Sequence, residues 1–142
     1  MDQTKDIEAF IETGFPFHRL LGIRVDAIQE DCVLLHIPFK EELVGHAGKS
    51  FIHGGVISTL VDICGGFAVW TRCSPEDFVA TITLSVDYLR PATADDLCAR
   101  AEVRLLRNKV GNAHVVVWSK GSPDVHVAEG RGVYNISRRK KS

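Results

Sequence analysis

Two features of the segment SFIHGGVISTLVDICGG, residues 50–66, have side chains and spacing suited to chemistry on a carbonyl group. His53, Gly54 and Gly55 come before an apolar run, and Asp62 is the one acidic residue inside that run. Glycines at the start of a helix leave backbone N–H groups that can stabilise a negatively charged oxygen, as in an oxyanion hole. A carboxylate can act as a general base. A simple glycine turn and a solvent-exposed helix face are the alternative interpretations of the same residues.

The apolar run is predicted to form one helix, from about Gly54 to Trp70. Its buried side follows from apolar residues at helical spacing, namely Ile57, Leu60, Val61, Cys64 and Ala68. Asp62 falls on a different side, where its helical neighbours are all small: Gly55, Ser58, Thr59, Gly65 and Gly66. A glycine inside a helix costs about 1 kcal/mol relative to alanine, so two of them require a reason. We expect that a twofold-related partner helix packs against this side.

The distance between the two features leads to a further expectation. Asp62 follows Gly54 by eight residues, which is roughly 12 Å along a helix that rises about 1.5 Å per residue. The two groups of one chain therefore cannot act on the same reacting atom. If they cooperate, an antiparallel partner helix must bring Asp62 of one subunit near Gly54 of the other. The sequence then requires at least a homodimer with two equivalent sites.

The rest of the chain predicts a sheet that would hold this helix. A short helix near the start is expected to end at Gly14 and Pro16, and residues 22–28 and 31–38 are typical of a β-hairpin. After the central helix come four segments with β-branched residues or two-residue alternation, at about 78–91, 95–108, 112–121 and 124–137. Successive strands with short turns favour an antiparallel sheet, so the fold class is α+β.

One of these strands shows its two faces in the sequence. A buried face is predicted for Ala99, Ala101, Val103 and Leu105. A solvated face is predicted for Arg100, Glu102 and Arg104, which alternate with them.

Length and composition favour a single domain spanning residues 1–142, with an N-terminal helical segment at 1–20 and a basic, solvated tail at 138–142. The net charge of −1 does not suggest a nucleic-acid or membrane-surface partner. The acidic start contains no signal peptide, and no apolar run is long enough to span a bilayer. Four cysteines without a C-x-x-C pair indicate reduced thiols in the cytoplasm and no zinc site.

A family resemblance adds to this interpretation. ELVGHAGKSFIHGGVISTLVDICGG, followed by TITLSVDYLRPA, resembles the hotdog-fold acyl-CoA thioesterases of the phenylacetate-pathway branch. The shared pattern is H-G-G, an acid nine residues after the histidine, and a later strand end, here Tyr88-Leu89-Arg90-Pro91. The likeness continues in FPFHRLLGIRV and in the final strands. It implies a long central helix wrapped by a curved antiparallel sheet, assembled into dimers and often tetramers.

The resemblance also implies hydrolysis of acyl-CoA with defined roles. Asp62 matches the general base or nucleophile, the N–H of Gly54 matches the group that polarises the thioester carbonyl, and His53 lies beside the site. Thr81 matches a small hydroxyl residue that helps to place the water. Contacts to substrate and CoA are implied for Gly55, Arg90, Arg107, Lys109 and Gly111. No metal or cofactor is implied, since coenzyme A is part of the substrate.

One residue departs from the family pattern: His46 stands where relatives often have asparagine. An imidazole can donate a hydrogen bond as an amide does, so a functional residue and a plain loop histidine both remain open. The acyl slot has five candidate residues that could equally be core, namely Phe51, Ile52, Phe67, Trp70 and Phe78. Two other functions are considered, a non-catalytic acyl-CoA-binding module and a hotdog hydratase or dehydratase.

Overall fold

The computed structural model describes residues 3–46 and 48–139. Its helices are α1 (Gln3–Thr13), α2 (Pro16–Leu21) and α3 (Gly54–Trp70), with one 3-10 turn at Glu41–Leu43. Its strands are β1 (Arg24–Gln29), β2 (Cys32–Ile37), β3 (Phe78–Tyr88), β4 (Leu97–Leu106), β5 (Val110–Ser119) and β6 (His126–Ser137). The strands form one antiparallel sheet in the order β1-β2-β4-β5-β6-β3. The predicted α+β class is confirmed.

Helix α3 has the predicted bounds and packs against five of the six strands, β2 to β6. The residues that helical spacing assigned to its buried side are all in the core: Ile57, Leu60, Val61, Cys64 and Ala68. Burial of these side chains supplies the apolar contact that holds the helix against the sheet. The central helix wrapped by an antiparallel sheet, expected from the resemblance, is confirmed.

The N-terminal segment contains two helices where one was predicted. Pro16 was expected to end a helix, but it occupies the first turn of α2. Proline is favoured there because its fixed φ suits a helix and its missing N–H would be unpaired in any case. Gly14 allows the sharp return between the helices, since a Cβ there would lie 2.6 Å from the carbonyl oxygen of Phe10.

The alternation predicted for β4 holds at its start and fails at its end. Ala99 and Ala101 are fully buried, but Leu105 is 45% exposed. The pairing of β4 with β5 shifts register between Val103 and Leu105, as at a β-bulge. Because one extra residue reverses the faces of a strand, Leu105 turns outward and Leu106 packs against the core.

Gly65 has a structural role within its own chain, and the expected partner helix remains a prediction. A Cβ on Gly65 would lie 2.4 Å from the hydroxyl oxygen of Tyr134. Tyr134 is buried, and its hydroxyl donates a 3.0 Å hydrogen bond to the backbone carbonyl of Asp62. The glycine therefore makes room for a tyrosine of β6 that anchors the helix to the sheet. Gly66 is less confined, since a Cβ there would lie 3.4 Å from the Tyr134 ring.

The start of the basic tail is fixed to the fold rather than free. Arg138 contacts the Asp77 carboxylate at 3.2 Å, and the N–H of Arg139 donates to the same carboxylate at 3.0 Å. These bonds, with one from the N–H of Ser74, hold the pKa of Asp77 below its ordinary value. Residues 140–142 of the predicted tail lie outside the described residues. Within the described ranges, no helix is both long and apolar enough to cross a membrane.

Candidate active site

Asp62 is held by a hydrogen bond from the edge of the sheet. The Thr81 hydroxyl donates to the Asp62 carboxylate over 2.6 Å. Strand β3 shifts register against β6 between Thr81 and Thr83, leaving Ile82 as the extra residue. This bulge lets Thr81 face the helix while Leu84 still packs against the core. The structure therefore brings together two of the residues that the resemblance assigned to catalysis.

The carboxylate of Asp62 lies on the wall of a cavity of about 400 Å³. Its apolar lining includes five aromatic side chains, Phe10, Phe15, Phe67, Trp70 and Phe78. Three of the candidate acyl-slot residues are therefore in one cavity with the acid. The other two lie elsewhere: Ile52 is in the core and Phe51 bridges to Thr93 in a loop.

Much of the cavity wall comes from the N-terminal helices. The ring centroids of Phe10 and Trp70 are 5.9 Å apart, and those of Phe15 and His18 are 4.4 Å apart. Phe67 of α3 contacts both Phe15 and His18 edge-on, with centroids 5.8 Å away in each case. Aromatic pairs at such separations add to the energy of burial. Helices α1 and α2 are thereby fixed over the cavity as one of its walls.

Sequence reasoning did not assign Phe10, Phe15 and His18 to a site. Phe15 and His18 belong to the run FPFH, and that density of ring side chains around a proline is the signal that was available. It could not show which partner the rings meet, because Phe67 and Trp70 lie about fifty residues further along the chain.

The second centre is the start of α3. His53 is the N-cap residue, and its ring Nδ1 accepts a 2.7 Å hydrogen bond from the N–H of Gly55. The imidazole thus satisfies one of the free N–H groups of the first turn. The predicted substrate contact of Gly55 consequently has no free N–H to use.

The N–H of Gly54 is different. Among residues 3–46 and 48–139, no protein acceptor takes it. The Tyr88 hydroxyl donates to the carbonyl oxygen of Gly54 at 3.2 Å, and a Cβ on Gly54 would lie 3.4 Å from that ring. An available N–H at the positive end of a 17-residue helix is suited to a developing negative charge.

The predicted CoA contacts lie at opposite ends of one subunit. Arg90 is exposed and its guanidinium donates to the carbonyl oxygen of His126, beside Tyr88 and the start of α3. Arg107 and Lys109 are exposed in the β4–β5 turn. Gly111 follows that turn and is buried, with a Cβ position 2.8 Å from Val69 near the end of α3. The structure therefore does not bring Arg90 together with the β4–β5 turn.

The loop before α3 carries His46, which is exposed. Its backbone carbonyl accepts a hydrogen bond from the N–H of Lys49, and the N–H of Gly45 donates to Phe51. A Cβ on Gly45 would lie 3.1 Å from the Cα of His53, so the loop runs against the helix cap. A role for His46 remains a prediction. In the described part of the chain, no group of three or more His, Cys, Asp or Glu side chains is arranged to hold a metal.

Comparison with known proteins provides independent information. The family model described as the thioesterase superfamily matches residues 49–125. A Halobacterium salinarum protein named as a candidate esterase is 38% identical over 94% of each chain. The medium/long-chain acyl-CoA thioesterase YigI of Escherichia coli is 27% identical over 85% of each chain.

Solved structures agree. A protein described as from the thioesterase superfamily has a TM-score of 0.84 and 32% identity, covering 94% of this chain and 98% of that one. A thioesterase family protein of Silicibacter pomeroyi, at 24% identity, has a TM-score of 0.85 and covers 96% of this chain and 98% of its own. The second comparison supports the fold alone.

Proposed function

This chain belongs to the thioesterase superfamily and is a thioester hydrolase, and on that premise we propose that its substrates are acyl thioesters of coenzyme A. The observation that carries the proposal is the carboxylate of Asp62, fixed by the Thr81 hydroxyl at 2.6 Å on the wall of an aromatic cavity. A cavity of about 400 Å³ has room for an acyl group. The likeness to the medium/long-chain acyl-CoA thioesterase of E. coli supports this substrate class.

Asp62 starts the reaction by one of two routes. As a general base, its carboxylate removes a proton from a water molecule, whose oxygen then attacks the thioester carbonyl. As a nucleophile, the carboxylate attacks the carbonyl itself and forms an anhydride, which water hydrolyses afterwards. In both routes the hydrogen bond from Thr81 orients one carboxylate oxygen and leaves the other for the reaction.

The N–H of Gly54 supplies the second half of the site. Attack on the thioester places negative charge on the carbonyl oxygen, and a fixed N–H at a helix start stabilises that charge. When the tetrahedral intermediate collapses, the carbon–sulfur bond breaks and CoA leaves as a thiolate that takes up a proton. In the general-base route the acyl group departs as the free acid, and Asp62 returns the proton that it took from water. In the nucleophile route the free acid forms only when water hydrolyses the anhydride.

Both groups reach one thioester only if two subunits meet. Gly54 and Asp62 lie on the same helix, roughly 12 Å apart. The geometry of a single chain supports a partner at β3, because this 11-residue strand is paired on one side only within the described residues. Ile82, at its bulge, is 57% exposed. An unpaired edge with apolar side chains favours strand addition by a second copy.

The same dimer accounts for the separated CoA candidates. Arg90 lies near the start of α3, whereas Arg107 and Lys109 lie near its end. An antiparallel partner helix would bring the start of one α3 beside the end of the other. Arg90 of one subunit and the β4–β5 turn of its partner could then bind the phosphates of one CoA. A homotetramer remains a prediction from the family resemblance.

The cytoplasm is the compartment that we propose for this reaction. All four cysteines are free thiols in the structure, which fits a reducing environment.

The direct test is CoA release from a panel of acyl-CoAs by the wild-type protein and by Asp62→Asn. The wild type should hydrolyse at least one member, and the variant should lose about two orders of magnitude in kcat. Asp87→Asn makes the same substitution at an aspartate of β3 that does not line the cavity, and it is the matched control. Undiminished turnover by Asp62→Asn, or no turnover by the wild type across the panel, would defeat the proposal.

A further inference from the structure

Trp70 is the last residue of helix α3 and lines the same cavity as Asp62, here called the Asp62 cavity. Asp62, Gly66 and Trp70 follow one another at intervals of four residues, which places them on one side of the helix. The acid and the indole are therefore roughly 12 Å apart along the helix axis. Gly66 has no side chain, so an acyl chain has room to lie along the helix from the acid to the indole.

The indole of Trp70 is held by two phenyl rings. Its ring centroid lies 5.9 Å from that of Phe10 on α1 and 5.9 Å from that of Phe67, which it meets edge-on. Aromatic pairs at such separations contribute energy beyond the burial of their area. The orientation of the indole is therefore fixed by packing from two elements, α1 and α3.

A second cavity, of about 210 Å³, lies on the other side of this indole. Trp70 and Pro75 line both cavities, so they form the wall between the two. The apolar lining of the second cavity consists of side chains that pack against the core, namely Ile7, Ile28 and Cys73. Ile7 comes one turn before Phe10 on α1, so the same helix contributes to both cavities.

The polar groups of the second cavity leave its interior apolar. The Thr71 hydroxyl donates to one backbone carbonyl at 2.6 Å and accepts from one backbone N–H at 2.9 Å. Burial raises the pKa of the Cys73 thiol, which therefore stays uncharged. Gln29 and Glu30 also line the cavity but are exposed. The interior is thus suited to hydrocarbon.

We propose that Trp70 is a specificity-determining residue, whose indole separates the two cavities and so sets the greatest length of acyl chain that the site holds. The inference rests on the proposed function and names the substrate class of the Asp62 cavity, hydrocarbon chains that extend from Asp62 to Trp70. Each methylene within that cavity is removed from water and strengthens binding. A longer chain meets the indole and gains nothing more, whereas a smaller side chain at position 70 connects the second cavity and admits it.

The test measures kcat/KM for CoA release from saturated acyl-CoAs, in steps of two carbons from butanoyl-CoA to hexadecanoyl-CoA. For the wild type we expect a rise of about tenfold per step up to one chain length, since two further methylenes are buried each time, and no gain beyond that length. Trp70→Ala should move this limit to longer chains by at least one step. The limit compares substrates within one protein, so it does not depend on the fraction that folds.

Two further variants keep the test decisive. Trp70→Leu retains apolar contact with Phe10 and Phe67 and should move the limit in the same direction, and it replaces Trp70→Ala if that variant does not fold. Trp70→Ala combined with Cys73→Phe fills the second cavity from its own wall and should return the limit toward the wild-type length. Because Cys73 does not line the Asp62 cavity, such a return would locate the extra length of chain in the second cavity.

The matched control is Trp118→Ala, which removes the other tryptophan of the chain from strand β5, where it lines neither cavity. It should leave the limit unchanged. The inference is overturned if the wild type shows no limit or no turnover in this series, or if the folded Trp70 variants keep the wild-type limit. It is equally overturned if Trp118→Ala moves the limit or the double variant retains the longer one. Turnover of any acyl-CoA that depends on Asp62 would leave the proposed function standing in each of these cases.

Discussion

The Thr81 hydroxyl donates a 2.6 Å hydrogen bond to the carboxylate of Asp62 and so joins the edge strand β3 to helix α3. The bulge at Ile82 is what turns Thr81 toward the helix. Because the edge strand β3 forms part of the site, pairing of another strand with this edge is expected to affect activity. The position of this pair therefore connects the chemistry of the site with the assembly proposed for it.

Loss of the Thr81 hydroxyl should reduce turnover without unfolding the protein. We expect Thr81→Val to lower kcat by about tenfold, since the carboxylate loses a charge-assisted hydrogen bond that orients it. Thr83→Val removes a hydroxyl from the same strand beyond the bulge and should have little effect. Steady-state kinetics of both variants measure this, and equal kcat values would show that the Thr81 bond has no catalytic role.

The N–H of Gly54 can be removed with little change in shape. Proline is compatible with the first helical position, and His53 already has φ −59° and ψ 136°, the extended region that a residue before proline prefers. We expect Gly54→Pro to lower kcat by about a hundredfold, the usual effect of losing one oxyanion donor. Gly54→Ala keeps the N–H and adds a similar Cβ beside Tyr88, so its kcat should stay closer to wild type.

The same variant tests whether the site spans two subunits. Mixed with Asp62→Asn after dissociation and reassociation, Gly54→Pro should restore activity, because each mixed dimer contains one site with neither change. Random pairing predicts about a quarter of the wild-type activity. If the mixture is no more active than its components, the two groups act within one chain or not together.

Opposite effects on stability are expected at two neighbouring glycines. Gly65→Ala places a Cβ 2.4 Å from the Tyr134 hydroxyl oxygen and should cost about 1–3 kcal/mol in unfolding free energy. Gly66→Ala meets the Tyr134 ring at an ordinary 3.4 Å and should gain up to about 1 kcal/mol from helix propensity. Urea unfolding compares them. A strong loss for Gly66→Ala would mean that another chain packs there.

The contacts of Asp77 should make stability depend on pH. Backbone N–H groups of Arg139 and Ser74, with Arg138, hold the pKa of Asp77 below 3.8, its ordinary value. A carboxyl group with a lowered pKa in the folded state stabilises the protein above its unfolded pKa, and this contribution is lost as the pH falls through the folded value. Asp77→Asn should thus lower the melting temperature at pH 7, and the difference should shrink in acid.

An exposed aspartate in the turn before β6 gives the comparison for this variant. Asp124→Asn should leave the melting temperature nearly unchanged at either pH. If Asp77→Asn behaves in the same way, the bonds from Arg138 and Arg139 contribute no net stability.

Sequence reasoning was correct where the regular spacing of apolar residues within one segment determines which side is buried. The spacing from Ile57 to Ala68 identified the buried side of α3, because the helix meets the sheet along one continuous face. It was wrong at Pro16, where the same residue can end one helix or begin another and only the packing of α2 decides. It was wrong at Leu105, because the alternation of apolar and polar residues does not show where a bulge inserts an extra residue.

The same distinction, between signals within one segment and contacts between distant segments, applies to the candidate site. Asp62 and the H-G-G turn were found because they are close in sequence and unusual in type. Phe67, Trp70 and Phe78 were among the candidates for the acyl slot and line the cavity. The wall from α1 and α2 was not found, since Phe10 and His18 meet α3 through contacts that a single sequence does not contain. Likewise, the contact between Gly65 and Tyr134 was not found, because the tyrosine comes 69 positions later in the chain.

Two parts of the chain form the walls of the cavity, and they contribute different kinds of side chain. Helices α1 and α2 contribute Phe10, Phe15 and His18, whereas the carboxylate and its hydroxyl partner come from α3 and β3. Substitutions of Phe10, Phe15 and His18 can therefore reshape the cavity without replacing the reacting groups. Exchange of these three side chains is thus a route by which the acyl groups accepted by this chain could be redesigned, while Phe67, Trp70 and Phe78 keep the rest of the cavity wall.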